Sequence, residues 1–552
     1  MTGQRPAFIC LLLFSAASLV SGTELYFRKL GFDRDVCYKR TLDLLHTGLL
    51  NKNDDVFHRD DMGLPMSDEE TLTLTRNGCN RLCGPRLNFY KDIGPRLSIW
   101  LIPVLLLISN VELSPLDKRR FYAIIHLLGD PIDSIWSLIH KMAAWDRCYR
   151  MAERYGDVCG RCKRIIATVF AGFEEVEGPR IDSLRYYDNL IADRDLTTNY
   201  QEWRKAAVKL ADSRTDEFAR TCLAIFLYCF QLTASFVKQI GGGGSGSPPG
   251  GRIATGVFLS WLVPTVLLSN AMGNLPSRRT SYDTISRFAE HTGDPIHIPH
   301  SPSVWLPGFP SLSRKRRTDY FHSLGWSGAI YTFRPWKAHR GHPEESWIRS
   351  LMILLLAVCP LCLGMTGGFI ILWHSLPVGP NCRHTWLIGI FCAWILSAFL
   401  TWVSNNERFA TGIYHWRFVL VKDACIAIPS ILVIILSACG LFNFCDCWAG
   451  LRYGRQDAHV PLNGDPFYLL MGRTVYPTVV GTFVGLQVVL FFLISFIWRR
   501  GLMVARWSES RRSEEWARDT SHEMCKCLHR RRRPSRLDSD CPLIKDGEDK
   551  WR

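Results

Sequence analysis

Apolar residues in this chain fall in long, nearly uninterrupted blocks separated by polar and often basic stretches. The main blocks lie at residues 97–113, 222–237, 253–272, 348–373, 385–403, 418–444 and 475–498. A helix on the surface of a soluble protein alternates apolar and polar positions at helical spacing, whereas a helix in lipid is apolar all round for about 20 residues. The blocks follow the second pattern. They predict an all-α polytopic membrane protein with about seven transmembrane helices. The first block is marginal in length, and Pro103 within it predicts a kink that neighbouring helices must accommodate.

A shorter apolar run precedes them. Arg5, an apolar core and the small residues Ser21 and Gly22 predict a signal peptide at 1–22, with an uncleaved anchor as the alternative. Residues 23–96 then form a small lumenal or extracellular domain carrying Cys37, Cys79 and Cys83. In an oxidising compartment Cys37 can pair with either of the others, leaving an odd thiol. Cys382, Cys445 and Cys447 lie in loops on the same predicted side, either bridging those loops or remaining as thiols near the interface.

Two blocks share an order of uncommon residues. Trp100-Leu-Ile-Pro103 leads to Ser109 and Asn110, and Trp261-Leu-Val-Pro264 leads to Ser269 and Asn270. Each continues to a proline, an Arg pair, a Gly-Asp-Pro-Ile and a Trp, ending at Trp136 and Trp305. This predicts an internal duplication, parallel because both copies cross the bilayer in the same direction. The expected organisation is repeat unit one at 97–240, a Gly/Ser/Pro linker at 241–252, and repeat unit two at 253–373. Three further spans occupy 374–498 and a basic tail 499–552. Within unit one, Asp130 and Pro131 suit the start of a helix whose Ile132, Ile135, Trp136, Ile139, Met142 and Ala143 share a face. That helix is expected to lie on the membrane or against the spans.

Charge refines the topology. The formal net charge is +15, and Lys and Arg cluster beside the apolar blocks. With no nucleic-acid module in the chain, this points to anionic lipid rather than nucleic acid. Arg314, Lys315, Arg316 and Arg317, together with Arg530, Arg531, Arg532 and Arg533, are the candidate lipid contacts. The basic loops, except 451–473 with Arg452, Arg455 and Arg473, fall on one side if the N-terminus is outside and the C-terminus cytoplasmic, in a secretory-pathway and ultimately plasma membrane.

Candidate chemistry is sparse. The chain has no Gly-x-Ser-x-Gly, no phosphate-binding Gly-Lys-Ser/Thr loop and no His-Glu-x-x-His, so no catalytic, cofactor or metal residues are assigned. His297-Ile-Pro-His300 is broken by proline, and Cys159-Gly-Arg-Cys162 lacks a second ligand pair. Lys422 and Asp423, near the cytoplasmic start of the sixth span, suit snorkelling or a local ion pair. The expected role is a non-enzymatic membrane scaffold or sensor centred on the Pro-kinked spans. An uncoupled solute transporter using those spans is the alternative. A seven-span receptor is the second, weakened by the large loop after the first span.

Leu101-Ile-Pro-Val104, Ser114-Pro-Leu-Asp-Lys-Arg-Arg-Phe121 and Gly129-Asp-Pro-Ile-Asp-Ser-Ile-Trp136 resemble multi-spanning membrane proteins of filamentous fungi that have no assigned reaction. The resemblance covers mainly the first two spans and their loop. It implies a membrane location and carries over no ligand or catalytic residue.

Overall fold

A computed structural model describes residues 32–60, 62–84, 86–90, 93–111, 120–154, 160–177, 196–212, 218–236, 250–272, 284–285, 287–288, 347–376, 378–404, 412–450, 458–463 and 470–506. The signal segment 1–22, most of the Gly/Ser/Pro linker, and the clusters at Arg314, Lys315, Arg316, Arg317 and Arg530, Arg531, Arg532, Arg533 lie outside these residues.

The chain begins with α1 (Arg34–His46), β1 (Thr73–Thr75) and α2 (Arg76–Leu82). Asp33 caps α1 through its carboxylate, which accepts from the Val36 amide at 3.3 Å, and Thr75 caps α2 through the Gly78 amide at 3.1 Å. An apolar helix follows, α3 (Ile93–Ser109), then four connecting or amphipathic helices: α4 (Arg120–Gly129), α5 (Pro131–Arg154), α6 (Gly160–Glu177) and α7 (Leu196–Asp212). Next come α8 (Phe218–Ala234), α9 (Gly250–Phe258), a 3-10 turn (Leu259–Trp261) and α10 (Leu262–Met272). The remainder is α11 (Trp347–Trp373), α12 (Cys382–Ser404), α13 (Gly412–Cys439), α14 (Cys445–Trp448), β2 (His459–Pro461), α15 (Val475–Ile497) and α16 (Arg499–Ala505).

Among the described residues, five helices are long and apolar enough to cross a membrane: Gly250–Met272, Trp347–Trp373, Cys382–Ser404, Phe418–Cys439 and Leu470–Ile497. Leu355, Phe399, Val421, Phe492 and Phe496 are exposed on their outer faces, a placement that suits lipid rather than water. The α3 and α8 helices are apolar but have only 17 residues each. At 1.5 Å per residue they reach about 26 Å, a little short of the hydrocarbon core.

One helix is central. The apolar window of Gly250–Met272 is 89% buried within the protein, against 33–39% for the other four. Phe258 stacks on Trp394 at 5.1 Å, and Trp261 meets the same ring edge-on at 5.6 Å. Gly364 and Gly368 let α11 approach α9 backbone to backbone: a Cβ at Gly364 would stand 2.6 Å from the Phe258 carbonyl, and one at Gly368 3.1 Å from that of Ala254. Small residues four apart are a common means of close helix packing in lipid. Buried Gln487 of α15 adds polar contacts here, donating to Ser260 Oγ at 3.2 Å and to the Pro360 carbonyl at 2.8 Å.

The two proline-bearing segments fold differently. Pro264 has no N–H to offer the Ser260 carbonyl, and the helix passes through the 3-10 turn just before it. Pro103 instead lies inside a continuous helix. The linker expectation is corrected at its end, because Gly250, Gly251 and Arg252 already belong to α9. Gly250 packs against Ser375 and Tyr476 too closely for a side chain. Of the two placements expected for α5, on the membrane or against the spans, the structure shows the second: Ile132, Ile135, Trp136, Ile139, Met142 and Ala143 are all buried in protein, and the helix packs against α10, α11 and α12.

The N-terminal elements do not form a core of their own. β1 pairs antiparallel with β2, with Leu74 opposite Val460. Phe32, Phe57, Leu72 and Leu74 share one core with Leu376, Trp448, Val460 and Leu462. So short a segment buries too little apolar surface alone, and the loops after α11 and α13 complete it as a cap at one end of the helices. Cys37–Cys83 closes the N-terminal part, while Cys79–Cys445 and Cys382–Cys447 tie the cap together. The Arg76 guanidinium meets Asp446 at 2.6 Å across the same seam. A protease site placed at Ser245 gives a direct check. The two fragments are expected to run as one band on a non-reducing gel and to separate on reduction, and separation without reductant would refute the Cys79–Cys445 link.

Candidate functional site: a buried charge cluster

The corner between α4 and α5 is built to press against α13. Gly129 ends α4 so close to the Asp423 backbone that a Cβ has no room. The Asp130 carboxylate then accepts from the Asp133 amide at 3.1 Å and caps α5. From α12, the Trp394 indole N–H donates to the Leu128 carbonyl at 2.9 Å. These contacts bring His126, Asp130 and Asp133 of the corner against Ser397 and Thr401 of α12 and Lys422 and Asp423 of α13.

The seven side chains form one network, and none is more than 7% exposed. Lys422 Nζ reaches Asp130 Oδ2 at 2.8 Å, Asp423 Oδ1 at 2.7 Å and Ser397 Oγ at 2.5 Å. An ammonium has three N–H donors, and each has an acceptor. Thr401 Oγ1 donates to Asp130 Oδ2 at 2.5 Å. The His126 ring lies between two carboxylates, Nδ1 at 2.7 Å from Asp423 Oδ2 and Nε2 at 3.2 Å from Asp133 Oδ2. Burial alone would lower the imidazole pKa, but the Asp423 and Asp133 carboxylates outweigh it and push the ring up to about 9.

This position has a linkage consequence. The His126 pKa is raised from 6.5 to about 9, so its stabilising contribution is complete below 6.5 and lost as pH rises through about 9. The apparent melting temperature in detergent is therefore expected to fall across that window. His126→Gln should flatten the fall, and an unchanged pH profile in that variant would refute the charged imidazole.

The cluster lies where the spans begin and end. Lys422 and Asp423 stand about 6–8 Å inside the Phe418–Cys439 segment at 1.5 Å per residue, and Ser397 and Thr401 occupy the last turns of Cys382–Ser404. Ionisable groups so placed in a membrane protein are costly unless paired, and they mark candidate functional sites. Of the two sequence readings of Lys422 and Asp423, snorkelling and a local ion pair, the second holds: the two pair at 2.7 Å, and both turn inward rather than to the interface. A clue lay in His126, Asp130 and Asp133, whose spacing of four and three residues marks one face across the α4–α5 corner.

The residues singled out from the expected repeat sit elsewhere. Trp100 and Trp261 are buried in the apolar core, and Pro103 and Pro264 are described above. Ser109 is exposed and bonds back to the Leu106 carbonyl at 2.8 Å. Asn110 and Asn270 each bond back one turn, to Leu106 at 2.7 Å and Val266 at 2.9 Å. Asn270 also donates to the Asn110 carbonyl at 3.0 Å, so the ends of α3 and α10 meet, while Ser269 is buried nearby. These are packing and capping arrangements. Among the described residues no set of three His, Cys, Asp or Glu side chains is placed to hold a metal ion, and in the cluster the Lys422 ammonium is the cation the carboxylates surround.

No protein-family model, curated protein or solved structure matches the chain.

Proposed function

We propose that the chain is a seven-span membrane scaffold or sensor that couples its disulfide-tied cap on one side of the bilayer to helices α4 to α7 on the other. The α3 and α8 helices pack together as two short spans beside the five long ones. In this reading α3 and α9–α10 are diverged copies of a parallel repeat. The cap is outside and α4 to α7 are cytoplasmic, with the Arg clusters against anionic lipid in a secretory-pathway or plasma membrane. The likeness to fungal multi-spanning proteins accords with this placement and adds no reaction.

The observation that carries the reading is the charge cluster. It pins the α4–α5 corner to α12 and α13, and both helices run from there to the cap. Reporters at Thr23, Ser245, Gly341 and the tail test the architecture: the first two are expected outside and the last two inside. Gly341 outside would overturn it. The role is tested by proximity labelling from the tail in wild type and in Lys422→Met. A scaffold or sensor predicts a defined partner set that changes in the variant, and a set equal to that of an unrelated membrane protein counts against it.

A second reading is a solute carrier. The ionisable cluster and the broken helix before Pro264 are features carriers use. Solute uptake into reconstituted vesicles, abolished by Lys422→Met, would favour it.

A further inference from the structure

We infer that the break in the central helix is a binding site for one small neutral hydrogen-bonding molecule, water itself, held by Gln487 and by the hydroxyl and carbonyl of Ser260. The proposal uses three of the long apolar helices and stands whether the protein is a scaffold or a carrier.

The place lies midway along those helices. Pro360 is the middle residue of Trp347–Trp373, and Ser260 stands near the middle of Gly250–Met272. Gln487 precedes the end of Leu470–Ile497 by ten residues, about 15 Å. Gln487 and Ser260 are both fully buried. A polar side chain kept at that depth is costly, so its hydrogen bonds have to be accounted for one by one.

The Gln487 amide has two N–H donors, and both are used, on the Pro360 carbonyl at 2.8 Å and on Ser260 Oγ at 3.2 Å. Turned over, the amide would set its oxygen against the Pro360 carbonyl, so its orientation is fixed. The Oε1 atom then faces the other way, and no protein donor reaches it. A buried carbonyl oxygen of this kind is most often completed by an ordered water.

Ser260 has the complementary surplus. Its oxygen accepts from Gln487, and its hydroxyl hydrogen reaches no acceptor among the described residues. The carbonyl one turn back, that of Gly256, instead takes the Tyr228 hydroxyl at 2.6 Å. The Ser260 carbonyl supplies a third group, because Pro264 brings it no N–H and leaves a lone pair to spare. A water here accepts from the Ser260 hydroxyl and donates to Gln487 Oε1 and to the Ser260 carbonyl. Three hydrogen bonds are the usual complement of a buried water.

The chemistry of the site selects a neutral molecule. All its groups are uncharged, and residues 253–272, 350–373 and 474–497 contain no Asp, Glu, Lys, Arg or His. An ion would exchange its hydration shell for three neutral groups in apolar surroundings, a heavy loss. The close approach of α11 to α9 at Gly364 and Gly368 shuts the same region against anything bulky. A water inserted in a helix ladder also makes a bend point. It joins α9, whose Gly250 packs against Ser375 and Tyr476, to α10, whose Asn270 meets the end of α3.

Solid-state NMR of the full chain in lipid vesicles, with 15N-labelled glutamine, tests this. Leu486–Gln487 is the one Leu–Gln pair in the chain, so pair labelling assigns the residue without a variant. Magnetisation transfer from water protons to the Gln487 side-chain nitrogen is expected under conditions of slow amide exchange. Ser260→Ala removes the donor to the water and should cut the transfer at least twofold. Thr478→Ala is the control, since that exposed hydroxyl of the same helix bonds back to Thr474, and it should leave the transfer unchanged. Absence of transfer to Gln487 in the wild type overturns the proposal. So does a transfer that Ser260→Ala leaves intact in monodisperse protein.

Discussion

Lys422→Met is expected to cost about 3–5 kcal/mol, the usual penalty for removing one member of a buried ion pair. The methionine fills a similar volume, so the loss is electrostatic. Asp130 and Asp423 lose the ammonium between them, and Ser397 loses its donor. The double variant Lys422→Met with Asp130→Asn removes a charge of each sign and should recover much of the loss. Thermal unfolding in detergent reads both, together with the fraction of monodisperse protein. A double variant no better than the single one would mean that Lys422 acts through packing alone.

The second large effect is expected at Gly364. A leucine there would place its Cβ about where the Phe258 carbonyl now limits approach, at 2.6 Å. Overpacking usually costs about 1–3 kcal/mol, and the upper end is expected because backbone, not a flexible side chain, is in the way. The helix displaced is the central one, so α11, α12 and α15 would lose their common contact. Gly389→Ala and Gly485→Ala are the controls. Both are helical and nothing stands within 4 Å of an added Cβ, so each should be neutral or slightly stabilising. If all three variants behave alike, close approach at Gly364 is not what holds the helices together.

The apolar blocks made the long helices easy to read. The expected 348–373 and 385–403 agree within a few residues with Trp347–Trp373 and Cys382–Ser404. A lipid-facing helix is apolar in every direction, so its own sequence defines it. The start of α5 was equally legible, because Asp130 and Pro131 act through the local backbone. The cap was not. Leu74 and Val460 lie far apart in the chain, and neither segment carries a periodicity that names its partner. Nor was the charge cluster, since the adjacent charges of Lys422 and Asp423 do not reveal which face of the helix looks inward. Gly129 made that contact possible, but a glycine in sequence does not say what approaches it. For the same reason the expected repeat drew attention to Trp100 and Trp261, which prove to be core residues.

The link between Cys79 and Cys445 spans 366 residues, which has a consequence for biosynthesis. At about 5–20 residues per second the ribosome needs roughly 20–70 s to make the second cysteine after the first. During that interval Cys79 is in place without its partner, while Cys37 and Cys83 can already join. β1 is likewise an open strand edge until β2 emerges. The nascent N-terminal segment is therefore expected to need a disulfide isomerase, and shielding of its strand edge, until residue 445 and β2 have been made. A ribosome stalled before residue 445 should leave it as a mixed disulfide with that isomerase, or mispaired at Cys79.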